Sequence, residues 1–135
     1  MGRPAGRPPG WPDDRGSSTA EFTLVAALLT VLTLSVLQLG LALHIRNTTL
    51  DAAAEGARVA ALADNGLADG AERTRDLLRT ALGSTYAGDV SATRGDYLGM
   101  PSVAVTVRAP LPVLGLVGVE GGLEVTGHAV VEEVG

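Results

Sequence analysis

From Phe22 to Ile45 the chain runs for 24 residues without an Asp, Glu, Lys or Arg. As a helix rising about 1.5 Å per residue, that stretch is about 36 Å long, enough to cross a hydrocarbon core of about 30 Å. Glu21 stands immediately ahead of it. A carboxylate at the lip of a membrane span costs free energy to bury unless something neutralises it, which makes Glu21 a candidate functional residue. Of the 135 residues, roughly 75 follow Ala60, and a domain that small buries only about 60% of its unfolded surface and is expected to lean on partners.

The segment ahead of the span, MGRPAGRPPGWPDDRG, holds four prolines and four glycines in residues 1–16. Neither helix nor strand is expected to propagate through it, so it reads as a disordered basic leader. Arg3, Arg7 and Arg15 precede the span, whereas Arg46 and Arg58 are the only basic residues soon after it. Asp13 and Asp14 contribute little to topology, so the favoured orientation has the leader in the cytoplasm and the C-terminal part outside.

Gly16, then four residues, then Glu21 and Phe22 at the head of an apolar helix is a prepilin-type processing pattern. It resembles the class III signal of type IV pilins and pseudopilins. That resemblance implies that a membrane-embedded prepilin peptidase cuts between Gly16 and Ser17, leaving Glu21 as the fifth mature residue. The spacing has its own physical sense: glycine lets the backbone lie extended in a protease cleft, and a free α-amino group on Ser17 is one helical turn from Glu21. Pairing with that amine, in the same chain or a neighbour, offsets the cost of burying the carboxylate. The plain alternative is that Glu21 marks a solvated helix end and interacts with the helix dipole.

Thr19, Thr23, Ala26, Thr30, Thr33 and Gly40 recur at three- and four-residue steps, with Leu37 filling the remaining step. They form one stripe on a helix, suited to close helix packing with hydroxyls bonding across, unless those hydroxyls bond back to their own carbonyls. Glu21 lies about 150° from that stripe on a helix turning about 100° per residue, so a helical array with neighbours on several sides is needed to satisfy both. A rival reading takes Gly40-Leu41-Ala42 as a signal-peptidase site and releases a soluble protein after Ala42. The uncharged run exceeds the usual signal core of roughly 7 to 15 residues.

The helix is expected to continue to Ala63, with Leu50, Ala53, Ala54, Ala57 and Ala61 as a seam for close packing and Asp51, Glu55 and Arg58 facing solvent. Asp64-Asn65-Gly66 is its stop. RGSSTAEF, the apolar run and NTTLDAAAEGARVAA together resemble the TadE-like family, small pseudopilins or minor pilins of tight-adherence (Flp/Tad) pilus systems; the related TadF and TadG proteins share the N-terminal pattern. The resemblance covers roughly Arg15 to Ala61. A proline near Ala27 and an acidic residue near Gln38, frequent in the family, are absent here. The resemblance implies a pilin-like architecture and, as partners, a prepilin peptidase, other pilins or pseudopilins, the pilus assembly platform and the lipid bilayer.

Beyond the helix, Asp69 to Leu82 reads as a second, amphipathic helix. Asp69 and Glu72 form a capping-box pair, Ala71, Leu78, Ala81 and Leu82 the apolar stripe, Arg73, Arg75 and Arg79 the solvated face, and Gly83 the stop. Val103 to Arg108 and Leu123 to Val134 alternate with period two and read as strands, with a weaker one near Asp89 to Arg94. The intervening PLPVLGLVGVEGG is strongly apolar but rich in Pro and Gly. It is expected to be irregular, either a loop over the sheet or a patch that docks on a partner subunit or the membrane.

Catalytic and cofactor constellations are wanting. There is no cysteine, and His44 and His128 belong to no ligand motif. On its strand, His128 is about 13 Å from Glu124 and from Glu132, too far to share a metal or a proton. The net charge of −5 and aromatic content of 3% argue against nucleic acid as a partner. The expected fold is α+β and pilin-like: a disordered leader (1–16), a transmembrane and assembly helix (17–45), an exoplasmic helical extension with a second helix (46–83), and a small β domain (84–135) with a mainly antiparallel sheet of three to four strands. The expected function is that of a non-enzymatic, cofactor-free pseudopilin in the cytoplasmic membrane. The alternatives are a single-pass envelope protein with a partner-binding C-terminal domain, and the secreted form.

Overall fold

The computed structural model of the protein describes residues 11–62, 64–113 and 117–131. The chain divides into two compact units, one up to Leu37 and one from Gln38. Helix α1 (Trp11–Ala61) supplies the described residues of the first unit and enters the second. Over Phe22–Leu37 every large apolar side chain is exposed. Trp11–Gly16, expected as part of a disordered leader, are instead helical. Pro12 sits in the first turn, where its missing N–H has no intrahelical partner to lose. The rest of the leader lies outside the described residues.

In the second unit the fold is α+β. Helix α2 (Leu67–Ala81) follows α1, then a 3₁₀ turn (Ser84–Ala87) leads to strands β1 (Asp89–Tyr97), β2 (Met100–Val113) and β3 (Val117–Val130). The strands form one antiparallel meander in the order β1-β2-β3. Three strands and two helices match the expected architecture.

Odd-numbered residues of β2 and β3 turn Val103, Val105, Val107, Ala109, Leu123 and Val125 inward, against Ile45, Ala53, Ala57, Ala60 and Ala61 of α1 and Ala71 and Leu78 of α2. Most of the α1 residues are alanines because backbones meet there. A Cβ on Gly127 of β3 would lie 2.5 Å from the Ala54 nitrogen, and one on Gly70 of α2 would lie 2.5 Å from the Gly56 oxygen of α1. Leu50, assigned to this seam from its spacing, is 39% exposed. Ile45, Thr49, Ala52, Gly56 and Ala60 occupy the face instead, since a leucine is too large for so close an approach.

The two helices run antiparallel. Thr74 Oγ1, fully buried, donates toward Ala52 O at 3.3 Å and Gly70 O at 3.0 Å, while Gly70 itself meets Gly56 and Ala60. α1 ends at Ala61, and the Asn65 side chain donates to Val59 O at 3.0 Å beyond that end, as the Asp-Asn-Gly stop leads one to expect. α2 starts two residues earlier than expected. The reciprocal cap is between Gly66 and Asp69, with Gly66 N–H donating to Asp69 Oδ2 at 2.7 Å and Asp69 N–H to Gly66 O at 3.1 Å. Glu72, displaced from the box, pairs with Arg75 and Arg79 instead. Gly83, at φ +100, receives the chain after α2 and donates to Leu78 O, in the manner of a left-handed helix stop.

α2 and the segment after Ala109 depart from expectation in three further places. Ala81 is exposed rather than on the buried stripe, which Gly70 and Thr74 complete. Arg75, expected on the solvated face, reaches Val90 O at 3.1 Å and ties α2 to β1. Among its described residues the apolar Pro/Gly-rich segment is not irregular: β2 and β3 pair there, Leu111 with Val119, Pro112 with Gly118 and Val113 with Val117. Prolines are tolerated because β1 pairing stops at Arg108, so β2 has one uncovered edge from there on and the register slips between Ala109 and Leu111. The centre of that segment, 114–116, and the end of the expected last strand, 132–134, lie outside the described residues.

Candidate functional site

The residues expected to carry processing and assembly all lie on α1 and are all solvent-facing: Gly16, Ser17, Glu21 and Phe22, and the stripe Thr19, Thr23, Ala26, Thr30, Thr33 and Gly40. Ser17 and Glu21 are one turn apart on the same face. Gly16 and Ser17 are helical rather than extended. Nothing stands within 4 Å of a Cβ built on Gly16 or Gly40, leaving both free to be approached.

Along the stripe, Thr19 Oγ1 donates to Arg15 O at 3.2 Å and Thr30 Oγ1 to Ala26 O at 2.8 Å; Ser35 does the same to Val31 O at 2.7 Å. Back-bonding satisfies these hydroxyl donors inside the helix, so a helix laid against the stripe meets small, internally satisfied groups. Leu29, Thr30, Thr33 and Leu34 line a shallow groove there.

On the sheet face away from the helices, His128 stacks on Tyr97 with ring centroids 4.2 Å apart and planes 13° apart. Thr106 and Thr126 share a hydroxyl hydrogen bond of 3.0 Å, and Arg108 meets Glu124 at 3.5 Å. His128 is therefore a solvent-facing strand residue, and His44 is exposed on α1. Among the described residues no three His, Cys, Asp or Glu side chains come together to hold a metal. The periodicity argument missed Gly56, Gly70, Thr74 and Gly127. The helix pair was announced by Ala52, Gly56 and Ala60 at four-residue steps and by Gly70 and Thr74 at the same step.

Helix α1 is long and apolar enough to cross a membrane, none of its most apolar window is buried, and it leads into a small α+β domain. Residues 16–58 match the family model described as TadE-like protein. The match begins at the glycine ahead of Ser17 and ends at Arg58, taking in the Glu-Phe pair, the apolar run and the Gly-Ala-Arg sequence, with α2 and the sheet beyond it. Comparison with curated proteins and with solved structures found no match.

Proposed function

We propose that the protein is a non-enzymatic pseudopilin or minor pilin of a Flp/Tad-type pilus or related secretion assembly. A prepilin peptidase cuts it between Gly16 and Ser17. Phe22–Ile45 holds it in the cytoplasmic membrane, with the N-terminus cytoplasmic and the α+β unit exoplasmic, until its N-terminal helix joins or primes a filament of other pilins. The observation that carries this reading is the TadE-like match over the segment that holds Gly16, Glu21 and an apolar helix exposed on all sides. An exposed carboxylate beside so many exposed leucines has to be neutralised when the helix enters lipid or a helical array. The new α-amino group on Ser17, one turn away in the same or a neighbouring chain, supplies the charge.

Glu21→Gln tests this in a host that assembles the pilus. Membrane insertion and cleavage are expected to persist while assembly falls, because an unpaired ammonium replaces an ion pair. Unchanged piliation would remove the charge-pairing argument.

A further inference from the structure

The chain holds two asparagines, Asn47 and Asn65, and only Asn65 is followed by a glycine. An Asn-Gly pair carries its own reaction: the glycine backbone nitrogen attacks the asparagine side-chain carbon, and the absent side chain leaves that approach unhindered. We propose that Asn65 is a site of self-modification by deamidation, held shut in the fold by the cap of α2 and released when the α1–α2 junction opens.

The reaction needs only the chain and water. A bond forms from Gly66 N to Asn65 Cγ, and the bond from Cγ to Nδ2 breaks. The Gly66 N–H proton passes to solvent, and Nδ2 leaves as ammonia after taking a proton from solvent. Water then opens the five-membered imide. Its attack at Cγ yields aspartate; its attack at the former main-chain carbonyl yields isoaspartate, with the chain running through Cγ. Nothing is oxidised or reduced.

In the fold both reacting ends are engaged. Asn65 Nδ2 donates to Val59 O at 3.0 Å, and the Asn65 N–H donates to Leu62 O at 3.1 Å. Because a carbonyl only accepts, the side-chain atom that faces Val59 O is the nitrogen, which fixes the orientation of the amide. The nucleophile is held more tightly. Gly66 N–H donates to Asp69 Oδ2 at 2.7 Å, while Gly66 O accepts from the Asp69 and Gly70 N–H groups. A carboxylate so placed opposes deprotonation of the amide twice, by bonding its neutral form and by repelling its anion.

Little covers this lock. Leu62, Asp64, Ala68 and Asp69 are exposed, and Asn65 and Gly66 are only half-buried, so the junction is of the kind that opens without unfolding the whole unit. Conversion is one-way. A carboxylate at position 65 cannot donate to Val59 O, and it adds negative charge at the C-terminal end of α1. Isoaspartate adds a carbon to the link ahead of Gly70, which already meets Gly56 and Ala60 with no room to spare. Each reaction therefore loosens the junction further.

The test holds the full chain in detergent micelles at mildly alkaline pH, with and without guanidinium. Trypsin then releases residues 59–73, which contain Asn65, and residues 47–58, which contain Asn47 as an internal reference. Mass spectrometry reads the exchange of an amide NH₂ for OH. The folded wild type is expected to convert Asn65 about tenfold more slowly than the unfolded chain. Asp69→Ala, which removes the cap, is expected to convert it about fivefold faster than the wild type. Leu78→Ala weakens the whole unit while sparing both hydrogen bonds, and is expected to convert more slowly than Asp69→Ala. Hydrogen exchange at the wild-type Gly66 amide, expected to be slow, tests the lock without any variant. A wild type that converts as fast in micelles as in guanidinium, or an Asp69→Ala variant no faster than wild type, overturns the proposal. Leu78→Ala converting faster than Asp69→Ala also overturns it, assigning the protection to the fold at large, and so does a Gly66 amide that exchanges as freely as in the unfolded chain.

Discussion

Gly56, Gly70 and Gly127 set how near the backbones of the C-terminal unit come to one another. A methyl group on Gly56 would run into Thr74 Oγ1 and stand 2.6 Å from Gly70 O, and neither is the loose end of a flexible side chain. Gly56→Ala is therefore expected to destabilise the unit by about 1–3 kcal/mol through overpacking, outweighing the gain in helix propensity of about 1 kcal/mol. Gly40→Ala, with open space around it, keeps the propensity gain without the clash and is expected not to lower the melting temperature. Thermal unfolding of the two variants in detergent, followed by circular dichroism, distinguishes them. Leu98 is the converse case. It holds φ +53 in the β1–β2 turn and is 83% exposed, so it bears the left-handed cost of about 1–2 kcal/mol with little burial in return. Leu98→Asn, which suits a left-handed position ahead of Gly99, is expected to raise the melting temperature.

At the scale of elements, helix ends and packing faces follow from contacts that a one-dimensional pattern reports only partly. The stop at Asp64-Asn65-Gly66, the stop at Gly83 and the alternation of Val103, Val105 and Val107 were legible because each depends on local chemistry. The start of α2 was not: Asp69 serves as the third residue of the helix, capping Gly66, and the pairing of Asp69 with Glu72 imitates a box three residues late. Leu50 misled for a different reason, since its spacing suits the seam but its volume does not. Asp69→Ala is expected to cost about 1 kcal/mol by leaving the Gly66 N–H without its acceptor. Leu78→Ala, at a fully buried position between α2 and the sheet, is expected to cost about 2–5 kcal/mol. Denaturant unfolding of the two variants gives the ratio directly. The apolar hairpin was obscured by its prolines, which ordinarily argue against a strand and here lie where β2 has an uncovered edge.

On the scale of the whole molecule, the anchor and the small domain answer to different pressures. The domain has buried its polar side chains with partners, among the described residues, and closes its core with alanine and valine. The N-terminal helix leaves its leucines exposed from Leu24 to Leu43, and an exterior of that kind is stable only in lipid or against other helices. The TadE-like match stops at Arg58, so the shared part is the portion of α1 with that exterior together with the first turns of the domain seam. In the proposed function, Glu21 acquires its cationic partner only through removal of the leader. Mass spectrometry of the N-terminus, on protein purified from the membranes of its native host, tests that most directly. A mature chain beginning at Ser17 is the predicted result; a chain in working assemblies that still begins at Met1 or Gly2 would contradict it.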